Sequence, residues 1–151
     1  MRGRVLIVDD DEHLGETLRI ELARSAFTPA FALSADAALE SLEQQEFDAV
    51  LTDLNMARIS GVDLCRRILE AHPGVPVIVM TAFGNMDAAI AAIRAGAYDF
   101  INKPIDADAL ALILDRAIHV RILHEEIKRL RSSLSGGAGF EELLGDSSAM
   151  K

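Results

Sequence analysis

The stretch VLIVDDD, Val5–Asp11, decides how this chain folds. Four apolar residues, two of them valine and one isoleucine, fit a short strand buried on both faces. That strand runs without a break into Asp9, Asp10 and Asp11. Carboxylates gathered at the end of a buried strand repel one another, so some cation has to neutralise them. The design recurs along the chain. Phe47–Leu51 (FDAVL) leads into Thr52-Asp53, and Val75–Met80 (VPVIVM) leads into Thr81-Ala82. Two weaker strand candidates are Thr28–Leu33 (TPAFAL) and Tyr98–Ile101 (YDFI), the second followed by Asn102-Lys103-Pro104.

Segments with helical spacing lie between these runs. The first carries Leu14, Leu18 and Leu22. The second carries Ala35, Ala38, Leu39 and Leu42, with Ser34 as its N-cap. The third carries Val62, Leu64, Cys65, Ile68 and Leu69 and ends before His72-Pro73-Gly74. The fourth is alanine-rich, from about Met86 to Ala95, and Gly96 closes it. The fifth starts near Asp106. Strand and helix thus alternate five times, which predicts an α/β three-layer sandwich with a parallel sheet. Right-handed crossovers favour the flavodoxin-like strand order 2-1-3-4-5. Ligand sites in such sheets lie beyond the carboxyl ends of the strands, near the switch point between strands 1 and 3.

Composition narrows the function. The chain has 151 residues, enough for one domain and a short appendage, and half of them are hydrophobic. A formal net charge of −9 argues against direct nucleic-acid binding by this chain, because phosphate contacts need clustered Lys and Arg. A single cysteine, Cys65, leaves no internal disulfide framework and fits a reducing, cytoplasmic setting. There is no apolar run of about 18 residues, so no membrane span is expected. The N-terminus turns acidic before any signal-length apolar region.

The predicted strand ends place Asp9, Asp10, Asp53, Thr81 and Lys103 on one rim. Carboxylates without His or Cys beside them favour a hard cation, Mg²⁺ or Mn²⁺. Lys103 is a point charge suited to a phosphoryl group, and Thr81 offers a hydroxyl donor. Together they describe acyl-phosphate chemistry on a carboxylate, with Asp53 as the best nucleophile. Asp11 reads instead as a cap on the first helix. Cys65 reads as a core residue, and the four histidines have no ligand spacing.

At these residues the sequence resembles the receiver domain of two-component response regulators. Asp9-Asp10, Asp53, Thr81-Ala82 and Lys103-Pro104 carry the resemblance, which covers roughly Arg4 to His119. Each motif alone is weak, but all four in order at the expected strand ends are specific. The resemblance implies that Asp53 accepts a phosphoryl group from a sensor histidine kinase. It implies that Asp10 binds the metal directly, that Asp9 acts through water, and that the Asn55 backbone carbonyl is a further ligand. Thr81 and Phe100 are implied to be switch residues, Lys103 to pair with the carboxylate and then the phosphoryl group, and the Lys103-Pro104 bond to be cis. Such a protein is a signalling phosphoacceptor rather than an enzyme, with at most slow autodephosphorylation. Two departures stand out: Ala57 in NMARISG where the family usually has Pro, and Phe100 where it often has Tyr. Ala57 removes a φ restraint and is expected to loosen its loop.

The fifth helix does not stop where a receiver usually does. No Gly or Pro interrupts it from Asp106 to about Leu134. Leu123, Ile127, Leu130 and Leu134 follow the 4-3-4 spacing of a coiled-coil seam. The expected organisation is a receiver at 1–119, a dimerising linker helix at 120–134, and a flexible linker with the start of a truncated domain at 135–151. The ending FEELLGDSSAMK resembles the entry to the AAA+ domain of sigma-54-dependent, NtrC-type transcription activators. That resemblance implies a longer regulator whose other parts engage sigma-54 RNA polymerase and DNA. No P-loop GxxxxGK[ST] is present, so this piece is not expected to hydrolyse ATP. Two rival readings are a phosphorylation-independent pseudo-receiver acting as a dimerisation module, and an aspartyl phosphatase. The phosphatase commonly needs a second Asp at the position of Asn55, which counts against it.

Overall fold

Strands that are apolar on both faces need helices on both sides, and the chain supplies them in strict alternation. The computed structural model describes residues 2–56, 59–82 and 85–135. Ala57, the side chain of Leu134 and the tail 136–151 lie outside the described residues. The elements are β1 (Arg4–Val8), α1 (Glu12–Arg24), β2 (Thr28–Ala32), α2 (Ala35–Gln44), β3 (Ala49–Asp53), α3 (Gly61–Ala71), β4 (Val77–Thr81), α4 (Met86–Arg94), β5 (Asp99–Asn102) and α5 (Ala107–Ser135). All strand pairs are parallel and the order is β2-β1-β3-β4-β5, as the sequence predicts.

Side-chain alternation divides the core in two. Leu6, Val8, Val50, Val77 and Val79 point to the face covered by α2, α3 and α4. Val5, Ile7, Leu51, Ile78 and Met80 point to the face covered by α1 and α5. Cys65 is fully buried in the first layer, where loss of solvent pushes its thiol up to about 11. It is a core residue, not a reactive thiol.

Polar residues at the helix starts fix where α1, α2, α3 and α5 begin. Asp11 accepts from the His13 and Leu14 N–H groups, so it is the cap the sequence suggests. Ser34 accepts from Ala37 N–H, Ser60 from Asp63 N–H, and Asp106 from Asp108 and Ala109 N–H. Past the end of α4, Gly96 has φ +114°, a left-handed conformation that L side chains rarely adopt. A Cβ there would also lie 2.5 Å from Leu69 Cδ1.

Three strands end later than apolar content alone predicts. β3 begins at Ala49 rather than Phe47 and includes Thr52 and Asp53. β4 runs to Thr81, and β5 to Asn102. The reason is the backbone ladder, which is indifferent to side-chain polarity. Val8 pairs with Thr52, Asp53 with Met80, and Thr81 with Asn102. The polar residues are therefore held by sheet geometry rather than by loops.

Gly61, the first residue of α3, packs directly beneath one of them. Its N–H donates to the Leu54 carbonyl at 3.0 Å. A Cβ on Gly61 would lie 2.5 Å from the Asp53 carbonyl oxygen and 2.7 Å from Leu54 Cα. Both are backbone atoms and cannot swing aside. Gly61→Ala is therefore expected to destabilise the fold by about 1–3 kcal/mol. Urea denaturation measures this; an unchanged midpoint would mean the close approach is not rigid.

Candidate functional site

The carboxyl edge of the sheet brings Asp53 at the end of β3, Thr81 at the end of β4 and Asp9 just past β1 to one place. Asp9 is fully buried, and Asp53 and Thr81 nearly so. Asp10 is exposed at the rim. Carboxylate oxygens of Asp9, Asp10 and Asp53 lie within 4.8 Å of one another, the one such acidic group among the described residues.

Lys103 reaches this group from the β5–α5 connection. Its Nζ is 3.2 Å from Asp53 Oδ1 and 3.8 Å from Asp9 Oδ2. The Lys103-Pro104 peptide bond is cis, and the Lys103 N–H donates to the Thr81 carbonyl at 2.8 Å. The ammonium thus pairs closely with Asp53 and more distantly with Asp9.

Asp9 shows what one cation leaves undone. Its Oδ1 accepts from Asp11 N–H at 2.9 Å, while Oδ2 is buried with no hydrogen-bond partner. Burial raises the Asp9 pKa, and the negative charges of Asp53 and Asp10 add to the effect. The Asp11 N–H and the Lys103 ammonium oppose it without cancelling it. An orphaned carboxylate oxygen beside two further carboxylates suits a divalent cation with oxygen ligands, or a water bound to one. The residues present fit such an ion.

The remaining site residues take defined positions. Asn55 N–H donates to Asp53 Oδ1 at 3.3 Å. The Thr81 hydroxyl is turned toward the start of α4, donating to the Asn85 carbonyl at 3.3 Å and more weakly to Ala82 at 3.4 Å. Asn85 makes no side-chain cap, so this hydroxyl is a tie between β4 and the first turn of α4. Phe100 sits in β5 opposite Val79, half-buried against the core on the α4 side. Sequence reading gave Asn85 no part in the site. It has no charge and no motif, and only the turn after β4 brings its carbonyl to Thr81.

Residues 5–115 match the family model of the response regulator receiver domain. The chain belongs to the response regulator receiver domain family. This receiver is 39% identical over 120 residues to the response regulator protein PilR of Pseudomonas aeruginosa, covering 80% of the chain and 27% of that protein. It is 33% identical over 148 residues to the regulatory protein AtoC of Escherichia coli, covering 98% of the chain and 32% of that protein. The crystal structure of NtrX from Brucella abortus superposes with a TM-score of 0.81 at 33% identity, covering 86% of the chain and 30% of that structure. Similar proteins include several named as transcriptional regulators, in line with the resemblance to NtrC-type activators. The chain spans about a third or less of the length of the curated relatives it matches. Among the described residues, no helix of the receiver is long and apolar enough to cross a membrane.

The raised Asp9 pKa has a definite consequence for stability. The native state holds this proton to higher pH than the unfolded chain does. The associated stability is complete below the ordinary carboxylate range and is lost as pH rises through the raised value. Above the ordinary carboxylate range the buried Asp9 therefore works against the fold. Asp9→Asn keeps an acceptor for Asp11 N–H and removes the charge. It is expected to stabilise the metal-free receiver at pH 7 by about 1 kcal/mol, the order of one unsatisfied buried acceptor. Mg²⁺ should stabilise the parent more than the variant, both read from urea midpoints. A variant less stable than the parent without metal would contradict this.

Proposed function

We propose that this receiver accepts a phosphoryl group on Asp53 from the phosphohistidine of a sensor kinase. The observation that carries the reading is the Lys103 ammonium 3.2 Å from Asp53 Oδ1, with Asp9 and Asp10 beside it at the sheet edge. An Asp53 oxygen attacks phosphorus, the P–O bond forms as the P–N bond breaks, and the imidazole leaves with a proton. Lys103 holds the Asp53 carboxylate in place and then pairs with the phosphoryl oxygens. Asp10, Asp53 and the Asn55 carbonyl would hold Mg²⁺ or Mn²⁺, with Asp9 acting through a metal-bound water. The ion, when bound, supplies positive charge against the carboxylates and the transferring oxygens.

The signal leaves the site through Thr81. Its hydroxyl has two uses, the phosphoryl group or the Asn85 carbonyl, and moving to the first releases the start of α4. Phe100, beside Val79 on the next strand, is positioned to change rotamer with it. The face formed by α4, β5 and α5 is then reorganised.

The output is a change in dimer state through α5. Leu123, Ile127 and Leu130 are about half exposed on a helix that continues past the sheet to Ser135, as expected of a seam awaiting a partner. The domain boundaries expected from sequence, 1–119, 120–134 and 135–151, describe this division of labour. In a longer protein the helix would lead to an AAA+ domain and so regulate sigma-54-dependent transcription. Support for that context comes from the tail sequence and from relatives several times longer than this chain.

Beryllofluoride with Mg²⁺ tests the reading, since it stands in for a phosphoryl group on a carboxylate. Sedimentation should show a shifted monomer–dimer balance, and amide spectra should move at Thr81 and Asn85. Asp53→Asn should abolish both. No response in the parent protein would favour the pseudo-receiver, and rapid turnover of added phosphate esters would favour an enzyme.

A further inference from the structure

Helix α5 presents one stripe to the sheet, and its Leu110, Leu114, Ala117 and Ile118 are buried. At 3.6 residues per turn the next position on that stripe is Arg121. The sheet ends there, and the apolar stripe gives way to a guanidinium. Arg121 is nevertheless largely enclosed, its side chain 15% exposed. Nη1 donates to Asp48 Oδ1 at 2.8 Å, Nη2 lies 3.2 Å from Glu125 Oε2, and Nε is buried without a partner.

Asp48 is itself fixed. It stands immediately before β3, and its Oδ2 accepts the Arg4 N–H at 2.8 Å. Its own N–H donates to the Arg4 carbonyl at 2.7 Å. The carboxylate that receives Arg121 is therefore bonded to the backbone of the first residue of β1. Beyond this point every described side chain of α5, from Ile122 to Ser133, is exposed. Among the described side chains of α5, Arg121 is the last that is not exposed.

We propose that Arg121 and Asp48 form a clamp that fixes the rotation and tilt of the linker helix relative to the receiver. At about 100° per residue, Leu123, Ile127 and Leu130 lie roughly 120–180° around the helix from Arg121. With Arg121 held against the base of the sheet, those residues point away from their own receiver. Receiver and helix then turn as one body, so any reorganisation of α5 at the sheet reaches the exposed segment. An arginine suits this role because its planar fork fixes direction as well as distance, which an ammonium does not. The use of the aimed face in dimerisation rests on the function proposed above; the clamp itself does not.

Amide residual dipolar couplings test the clamp directly. All samples are the whole chain with Leu123→Glu and Ile127→Glu, so that pairing of helices does not contribute. Without further change, strand amides and residues 122–133 should fit one alignment tensor. Arg121→Met keeps the apolar stem and removes the fork. Asp48→Asn keeps an oxygen for Arg4 N–H and removes the charge. Each is expected to leave the strand couplings unchanged, to shrink those of 122–133, and to require a second tensor for them. Carbonyl shifts should stay helical, and Arg121→Lys should fall between. A single common tensor of parent magnitude in both Arg121→Met and Asp48→Asn would overturn the proposal. So would melting of 122–133 in place of reorientation, since that would make Arg121 a helix stabiliser only.

Discussion

One ammonium facing two buried carboxylates is the constraint on which this molecule turns. Lys103 pairs closely with Asp53 and only at longer range with Asp9. A buried carboxylate with an unsatisfied oxygen costs stability unless another positive group completes it. Three carboxylates and one ammonium leave this edge of the sheet with an excess of negative charge that favours cations. In the function proposed above, a divalent ion answers that demand and also offsets the negative charge that a phosphoryl group would add at the same edge of the sheet.

The scaffold makes that demand durable. Asp53 and Thr81 end strands whose ladders continue through them, and Lys103 is held by its own backbone bond to Thr81. Gly61 lets α3 press against the carbonyl of Asp53. The scaffold holds these charged groups close together, so their repulsion persists unless a proton or a bound cation offsets it. By contrast, Thr81 has a movable part. Its hydroxyl is bound to the Asn85 carbonyl at a length that gives only a weak bond, and a competing phosphoryl oxygen is a stronger acceptor. Rigid charges and a loosely held hydroxyl are the two properties that the proposed switch would use.

Much of this is legible in the sequence, for physical reasons. Buried parallel strands are apolar without alternation, so β1, β3 and β4 announce themselves, and the acids at the ends of β1 and β3 mark the site. Asp11 and Ser34 read as caps because their short oxygens suit helix starts. Strand ends read from periodicity fall one or two residues from the observed ones, because periodicity sees side chains, while the ladder that carries Asp53, Thr81 and Asn102 is made of backbone. The Thr81–Asn85 tie was not legible, since a backbone carbonyl has no letter in the sequence. The Arg121–Asp48 pair was not legible either: 73 residues separate its partners. Its single trace is an arginine where the buried stripe of α5 calls for an aliphatic residue.

The proposed signalling role requires that Asp53 be the carboxylate that takes phosphate. Incubation with acetyl phosphate and Mg²⁺, followed by borohydride reduction and peptide mass mapping, tests this most directly. Reduction converts an aspartyl phosphate to homoserine and so marks the acceptor. Homoserine at position 53, dependent on Mg²⁺ and lost when Lys103 is replaced by alanine, is the predicted result. An unmodified Asp53 in a protein saturated with Mg²⁺, or homoserine at Asp9 or Asp10 instead, would contradict it.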